Sequence, residues 1–244
     1  MEAMKKEELQ KEFKIGEQTK KFFEENMKTI ITASCIIGFM RFIIDMIGCL
    51  GGDSNMKDSI IIITFIALLI TMFFCTMSMK VIAGNWYLKN TKMSLKEAYK
   101  VLEGKKLTLI ISSIIKSIKI GLWSILLIIP GIYKTFSYIF NEDFIIFNDA
   151  KSSEAIKLSK QLSKKNILEI FIYYLVVMIM ALIPTFIIKV LVPILLLMGL
   201  DIVTPFISFV ANIITYSATL SIASGITMKF IDLTKKIGLE LNIK

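Results

Sequence analysis

Apolar residues along this chain gather into long runs parted by charged stretches. The runs cover about 29–50, 59–79, 107–129, 132–148, 167–189 and 205–228. A helix needs about 20 mostly apolar residues to cross a ~30 Å hydrocarbon core. The pattern therefore predicts an all-α polytopic membrane protein with six transmembrane helices. It divides the chain into a cytoplasmic amphipathic tail at 1–28, a six-span membrane domain at 29–228 and a second cytoplasmic tail at 229–244. The organising stretch is 121–149, where two apolar runs meet at Pro130-Gly131. That dipeptide is predicted as a turn that ends one helix and starts the next.

The polar stretches carry helical signals of their own. In 5–27, Leu9, Phe13, Phe23 and Met27 fall near one helical face, which predicts an amphipathic helix on the inner surface. Ser94 with Glu97 three residues later has the form of a capping box and predicts a surface helix over 94–104. A start at Ser152 or Ser153 predicts another over 153–164. Their apolar faces, Leu95, Ala98 and Leu102 in one and Ala155, Leu158 and Leu162 in the other, are expected against the inner leaflet. Gly51-Gly52-Asp53-Ser54-Asn55 reads as a polar turn, and a linker containing Pro193 leads through Gly199-Leu200-Asp201 to the last run. Glu97-Ala98-Tyr99-Lys100 is echoed by Glu154-Ala155-Ile156-Lys157, so the chain has a possible three-fold repeat of surface helix plus helical hairpin. Shared composition of amphipathic helices explains the echo equally well.

Lysines alternate between the connections. There are seven in 1–28, one in 51–58, seven in 80–106, one in 130–134, five in 149–166, one in 189–204 and four after 228. By the positive-inside rule both termini and both charged blocks lie in the cytoplasm, with the Gly-Gly, Pro-Gly and Pro193 connections outside.

Composition agrees with this class: 55% of residues are hydrophobic, and the mean hydropathy is +0.69. The net charge of +9 sits in lysines beside the runs, with no aromatic-interleaved basic patch, so no nucleic-acid partner is expected. Arg41 is the one arginine, as in proteins of AT-rich bacterial genomes. Cys35, Cys49 and Cys75 imply no disulfide framework. With seven lysines and seven glutamates in 1–28, no cleavable leader is expected.

The chain has no histidine, which removes the commonest metal ligand and the usual partner of a serine or cysteine nucleophile. No glycine-rich phosphate loop of a known spacing is present. Glu142 and Asp143 are adjacent, so on a helix they point about 100° apart, unlike the opposed acids of an intramembrane aspartyl protease. The expectation is no enzyme, no cofactor and no metal site. What remains is a candidate cluster of intramembrane charges: Arg41, Asp45, Lys116, Lys119, Glu142 and Asp143. Such residues are expensive in lipid and face partners or water. Arg41 and Asp45, four apart, form a same-helix pair or share a polar interior with the rest. Lys119 and Glu142 are equally far from the Pro130-Gly131 break, so a hairpin turning there would pair Lys119 with Glu142 or Asp143, with Lys116 one turn away. A second arrangement lays 107–119 in the interface and shifts the span to 121–140, which would strand the five-lysine block outside. Asn212, Thr215, Ser217, Thr219 and Ser221 are expected to hydrogen-bond between helices.

The stretch from Leu122 to Asn166 resembles a family of bacterial six-span membrane proteins of unknown function, close to the YciC-like proteins and to the membrane domain attached to some glycerophosphoryl diester phosphodiesterases. Trp123, Pro130, Gly131, Ile132, Ser137, Tyr138, Glu154, Ala155 and Ser159 carry it. The resemblance implies a fold and a bacterial plasma-membrane location, and no established activity. The expected function is a non-enzymatic integral membrane protein, a transport-related or accessory subunit. Its partners would be the lipid bilayer and another membrane protein or transporter subunit. A stand-alone small transporter or channel, and an immunity or envelope-stress factor binding a peptide or lipid, are the alternatives.

Overall fold

The computed structural model describes residues 2–49, 54–197, 204–239 and 241. Among them the chain is all helical, with no strand: α1 Glu2–Cys49, α2 Ser54–Lys89, α3 Leu95–Val101, α4 Lys106–Leu126, α5 Ile128–Ser137, α6 Asn141–Asn148, α7 Ser152–Leu197 and α8 Thr204–Lys236. Four stretches within these helices are long and apolar enough to cross a membrane: Glu17–Ile47, Asp58–Lys89, Lys106–Leu126 and Ile207–Lys236. The chain is thus a multi-pass, membrane-embedded helical protein. The expected turn at 51–53 and the linker at 199–201 lie outside the described residues. So do many of the side chains of the fifth expected span beyond Ile179.

α8 is the central helix and packs on α1, α2 and α7. Its contacts are small or interlocking: Ser217 donates to Ser34 at 2.9 Å, Phe209 meets Phe42 edge-on at 5.7 Å, and Gly225 O accepts from Tyr173 at 3.0 Å. Of the hydroxyls expected to bridge helices, Ser217 does so, while Thr215, Thr219 and Ser221 donate back to α8 carbonyls four residues earlier. The core gathers at the end of the bundle where α2 and α8 finish. It includes Met79, Val81, Ile82 and Ala83 of α2, Phe144 to Phe147 of α6, and Met228, Phe230 and Ile231 of α8, all buried. At the other end, Ile62, Ile63, Leu69 and Val210 are exposed, as a lipid-facing surface requires.

Three expectations about the polar stretches are corrected. α1 is one helix of 48 residues, so the N-terminal amphipathic segment continues into the first apolar run and is not a separate surface helix. No proline or glycine stands between Phe22 and Thr32 to stop it, and Asn26 donates to Phe22 O inside the helix at 3.0 Å. Phe22 packs edge-on against Trp86 at 5.5 Å, and Trp86 Nε1 donates to Glu25 at 2.8 Å. The capped helix α3 forms at the expected serine, with both halves of the capping box present, but it ends after seven residues and its buried Ala98 sits against α2. The third surface helix is the first part of α7, which kinks at Asn166 and runs on. Its Ala155, Ser159 and Leu162 are buried, packed towards α5 and α6 rather than towards lipid. The two Glu-Ala copies therefore share a serine start and a buried alanine, then diverge. Pro193 falls inside α7 rather than in a linker.

The fourth expected span does not form as one helix. Residues 128–148 make α5, of 10 residues, a three-residue turn, and α6, of 8 residues. At 1.5 Å per residue neither reaches ~30 Å. The break between the central helices is at Leu127, whose backbone is extended (φ −157°, ψ 136°). Pro130 and Gly131, the predicted turn, instead lie in the first turn of α5, where proline's missing N–H is not needed. Gly131 is required by packing: a Cβ there would come within 2.8 Å of Ser124 Cα on α4. Close approach at that point binds α5 antiparallel to α4.

Candidate functional site

α6 is a short helix driven into the core, with every residue from Asn141 to Phe147 buried. Its first turn carries Glu142 and Asp143, placed where the positive end of a helix favours acids. Being adjacent, the two carboxylates face different neighbours. Asp143 Oδ2 accepts from Lys80 Nζ of α2 at 2.8 Å, and its Oδ1 accepts from Thr227 of α8 at 2.6 Å. Glu142 Oε1 accepts from Lys116 of α4 and, at 3.4 Å, from Ser113. Its Oε2 lies 3.7 Å from Lys80 Nζ. Two lysines and two acids thus make a neutral network that ties α2, α4, α6 and α8 at one level. Glu142, Asp143 and Lys80 are all at most 6% exposed in their side chains. Burial of these three charges beside the half-buried Lys116 is tolerable because each meets an opposite one and hydroxyls take further lone pairs.

Polar contacts extend the network along α6. Asn141 Nδ2 donates to Ser112 at 2.9 Å, and Ser152 donates to Thr108 O at 3.1 Å. At the far end, Lys105 donates to Ile146 O and pairs with Asp149, both at 2.5 Å. Asp149 closes α6 in the left-handed region, at φ 53°. Lys105 and Asp149 are equally distant in sequence from Leu127, so α4 and the α5–α6 return are zipped antiparallel about that residue. A second charged group joins α7 to α8: Glu169 accepts from the buried Lys229 at 2.8 Å and from the exposed Lys236 at 2.5 Å.

The six candidate charges separate into three fates. Lys116, Glu142 and Asp143 come together. Arg41 and Asp45 pair with each other at 3.1 Å along α1, partly exposed. Lys119 is exposed on α4, so its expected pairing with Glu142 or Asp143 is corrected to Lys116 and Lys80. The reason is the position of the turn: moving it from Pro130-Gly131 to Leu127 slides the return segment by about two helical turns, which sets Glu142 level with Ser112 and Ser113 and leaves Lys116, one turn on, as the lysine within reach.

Lys80, Thr227 and Lys229 were not among the candidates, because the lysines stood at the edge of charged blocks. A signal for them exists. Lys80 has Met79 before it and Val81-Ile82-Ala83 after it, and Lys229 has Met228 before it and Phe230-Ile231 after it. A lone lysine flanked on both sides by apolar residues is a lysine with a buried partner. Among the described residues no group of three or more metal-ligating side chains is placed to hold a metal. Chemically, the network is an electrostatic clamp on four helices. Compared with family models, curated proteins and solved structures, the chain matches none of them.

Proposed function

We propose that the protein is a non-enzymatic subunit of a bacterial plasma membrane, accessory to another membrane protein and transport-related, with both termini in the cytoplasm. The observation that carries this reading is the mutual neutralisation of Lys80, Lys116, Glu142 and Asp143. A transporter that worked through these charges would present one of them to a path, whereas here each is bound to another helix of the same chain. The lysine alternation supports cytoplasmic termini. The Pro130-Gly131-Ile132 and Glu154-Ala155 positions support membership of the YciC-like group.

The test is purification from native membranes with lipids retained, followed by identification of what stays bound. The reading expects a second membrane protein in fixed ratio. In liposomes the protein alone should carry no solute or ion flux. A flux abolished by Glu142→Gln, in a variant with unchanged thermal stability, would replace this reading with a stand-alone transporter.

A further inference from the structure

We propose that the α4–α5 hairpin is re-entrant: it enters the bilayer beside the charge network, turns at Leu127 among acyl chains near mid-bilayer, and returns to the same face. The apolar run at 167–189 within α7 then makes the crossing that α4 does not, so the chain crosses four times, through α1, α2, α7 and α8, and the hairpin tip is a surface for lipid tails.

The level of the network comes from α2. The apolar run at 59–79 ends at Lys80 and at 1.5 Å per residue is about 31 Å long. That matches the ~30 Å hydrocarbon core, so Lys80 marks one edge. Lys80 binds Asp143 and Glu142, and Glu142 binds Lys116, which places Lys116 of α4 at the same edge.

The reach of the hairpin follows. From Lys116 to the end of α4 at Leu126 the helix rises about 15 Å at most, whatever its tilt. The 10 residues of α5 return over a similar length. At its lower end Phe136 packs on Phe171 and Tyr174 of α7, and Ser137 O accepts from Ser159. The tip is therefore no more than about half of ~30 Å from the edge it started from.

The tip has the chemistry of that depth. Ile125, Leu126, Leu127, Ile128 and Ile129 are 84, 69, 66, 76 and 81% exposed, a surface no aqueous loop would present. At the break Leu127 keeps both backbone groups bonded: its N–H donates to Trp123 O at 3.0 Å and its C=O accepts from Gly131 at 3.2 Å. Pro130 brings no N–H to satisfy. Irregular backbone in hydrocarbon needs this economy. Below the tip, Lys134 lies 5.0 Å over the Trp123 ring, and Lys119 is exposed. Both stems are long enough to direct their ammonium groups back towards headgroups.

The experiment uses the full chain with its three cysteines replaced and a single cysteine at Leu127 or, separately, Ile129. Both are exposed, so neither substitution disturbs the core. A bimane label there, in phosphatidylcholine–phosphatidylglycerol vesicles, should lose more fluorescence to lipids carrying a nitroxide deep in the acyl chain than to headgroup nitroxides. In intact cells an impermeant maleimide should reach an Asn55→Cys control and leave both tip cysteines unlabelled, before and after permeabilisation. Labelling of the tip from outside would overturn the proposal in favour of a full crossing. Equal insensitivity to deep and shallow nitroxides would overturn it in favour of a protein-covered tip.

Discussion

Lys80 Nζ lies 2.8 Å from Asp143 Oδ2, an ion pair that fastens the end of α2 to a helix 63 residues further along the chain. Because Asp143 also accepts from Thr227, this one carboxylate joins α2, α6 and α8. Removing a single partner of a buried pair leaves an uncompensated charge and costs about 3–5 kcal/mol. Lys80→Met and Asp143→Asn should each lower thermal stability in detergent by that order. The double variant should lose less than the two losses added. Strict additivity would mean that the pair is not coupled.

Lys116 and Lys119 are three residues apart and should behave differently. Lys119→Met, at an exposed position, should shift stability by less than about 0.5 kcal/mol, and its effect should add to that of Glu142→Gln. Lys116→Met should destabilise clearly and should couple to Glu142→Gln. The measurement is a pair of double-mutant cycles on melting temperature. Coupling at Lys119 and none at Lys116 would restore a turn at Pro130.

Glycines report where helices touch. A Cβ at Gly84 would overlap the Phe147 ring, which is 1% exposed and has nowhere to go. Gly84→Ala should therefore cost about 1–3 kcal/mol through overpacking. Gly131→Ala should do the same against the Ser124 backbone. At Gly121 nothing lies within 4 Å of the added Cβ, so Gly121→Ala should be neutral or stabilise by up to about 1 kcal/mol through helix propensity. Melting curves of the three variants check the order.

The cap of α3 makes a local pH dependence. The Ser94 backbone N–H and hydroxyl both donate to Glu97 at 2.8 Å, and they hold its carboxyl below the usual range. A carboxylate with a depressed folded pKa contributes stability that is present above its unfolded value and lost as pH falls through the folded one. Amide exchange in α3 should therefore quicken in acid relative to the neighbouring helices. Glu97→Gln, which cannot titrate, should remove that difference, and a persisting acid effect in the variant would assign it elsewhere.

What the chain determined by its sequence was local or carried by long windows. The membrane class follows from apolar runs, whose burial in lipid needs no partner. The Ser94–Glu97 cap and the Arg41–Asp45 pair follow from spacings of three and four on one helix. What only the tertiary structure decided was how distant elements meet: α1 running unbroken past Lys28, the division of 128–148 into two short helices, and Lys80 as the partner of Asp143. The position of the central turn shows the physical reason. Pro130 is compatible both with ending a helix and with starting one, so local propensity does not choose. The choice falls to the close fit of Gly131 on Ser124 and to the burial of α6 between α4, α7 and α2. Three residues of displacement at that turn then decide which lysine is buried with an acid and which faces outward.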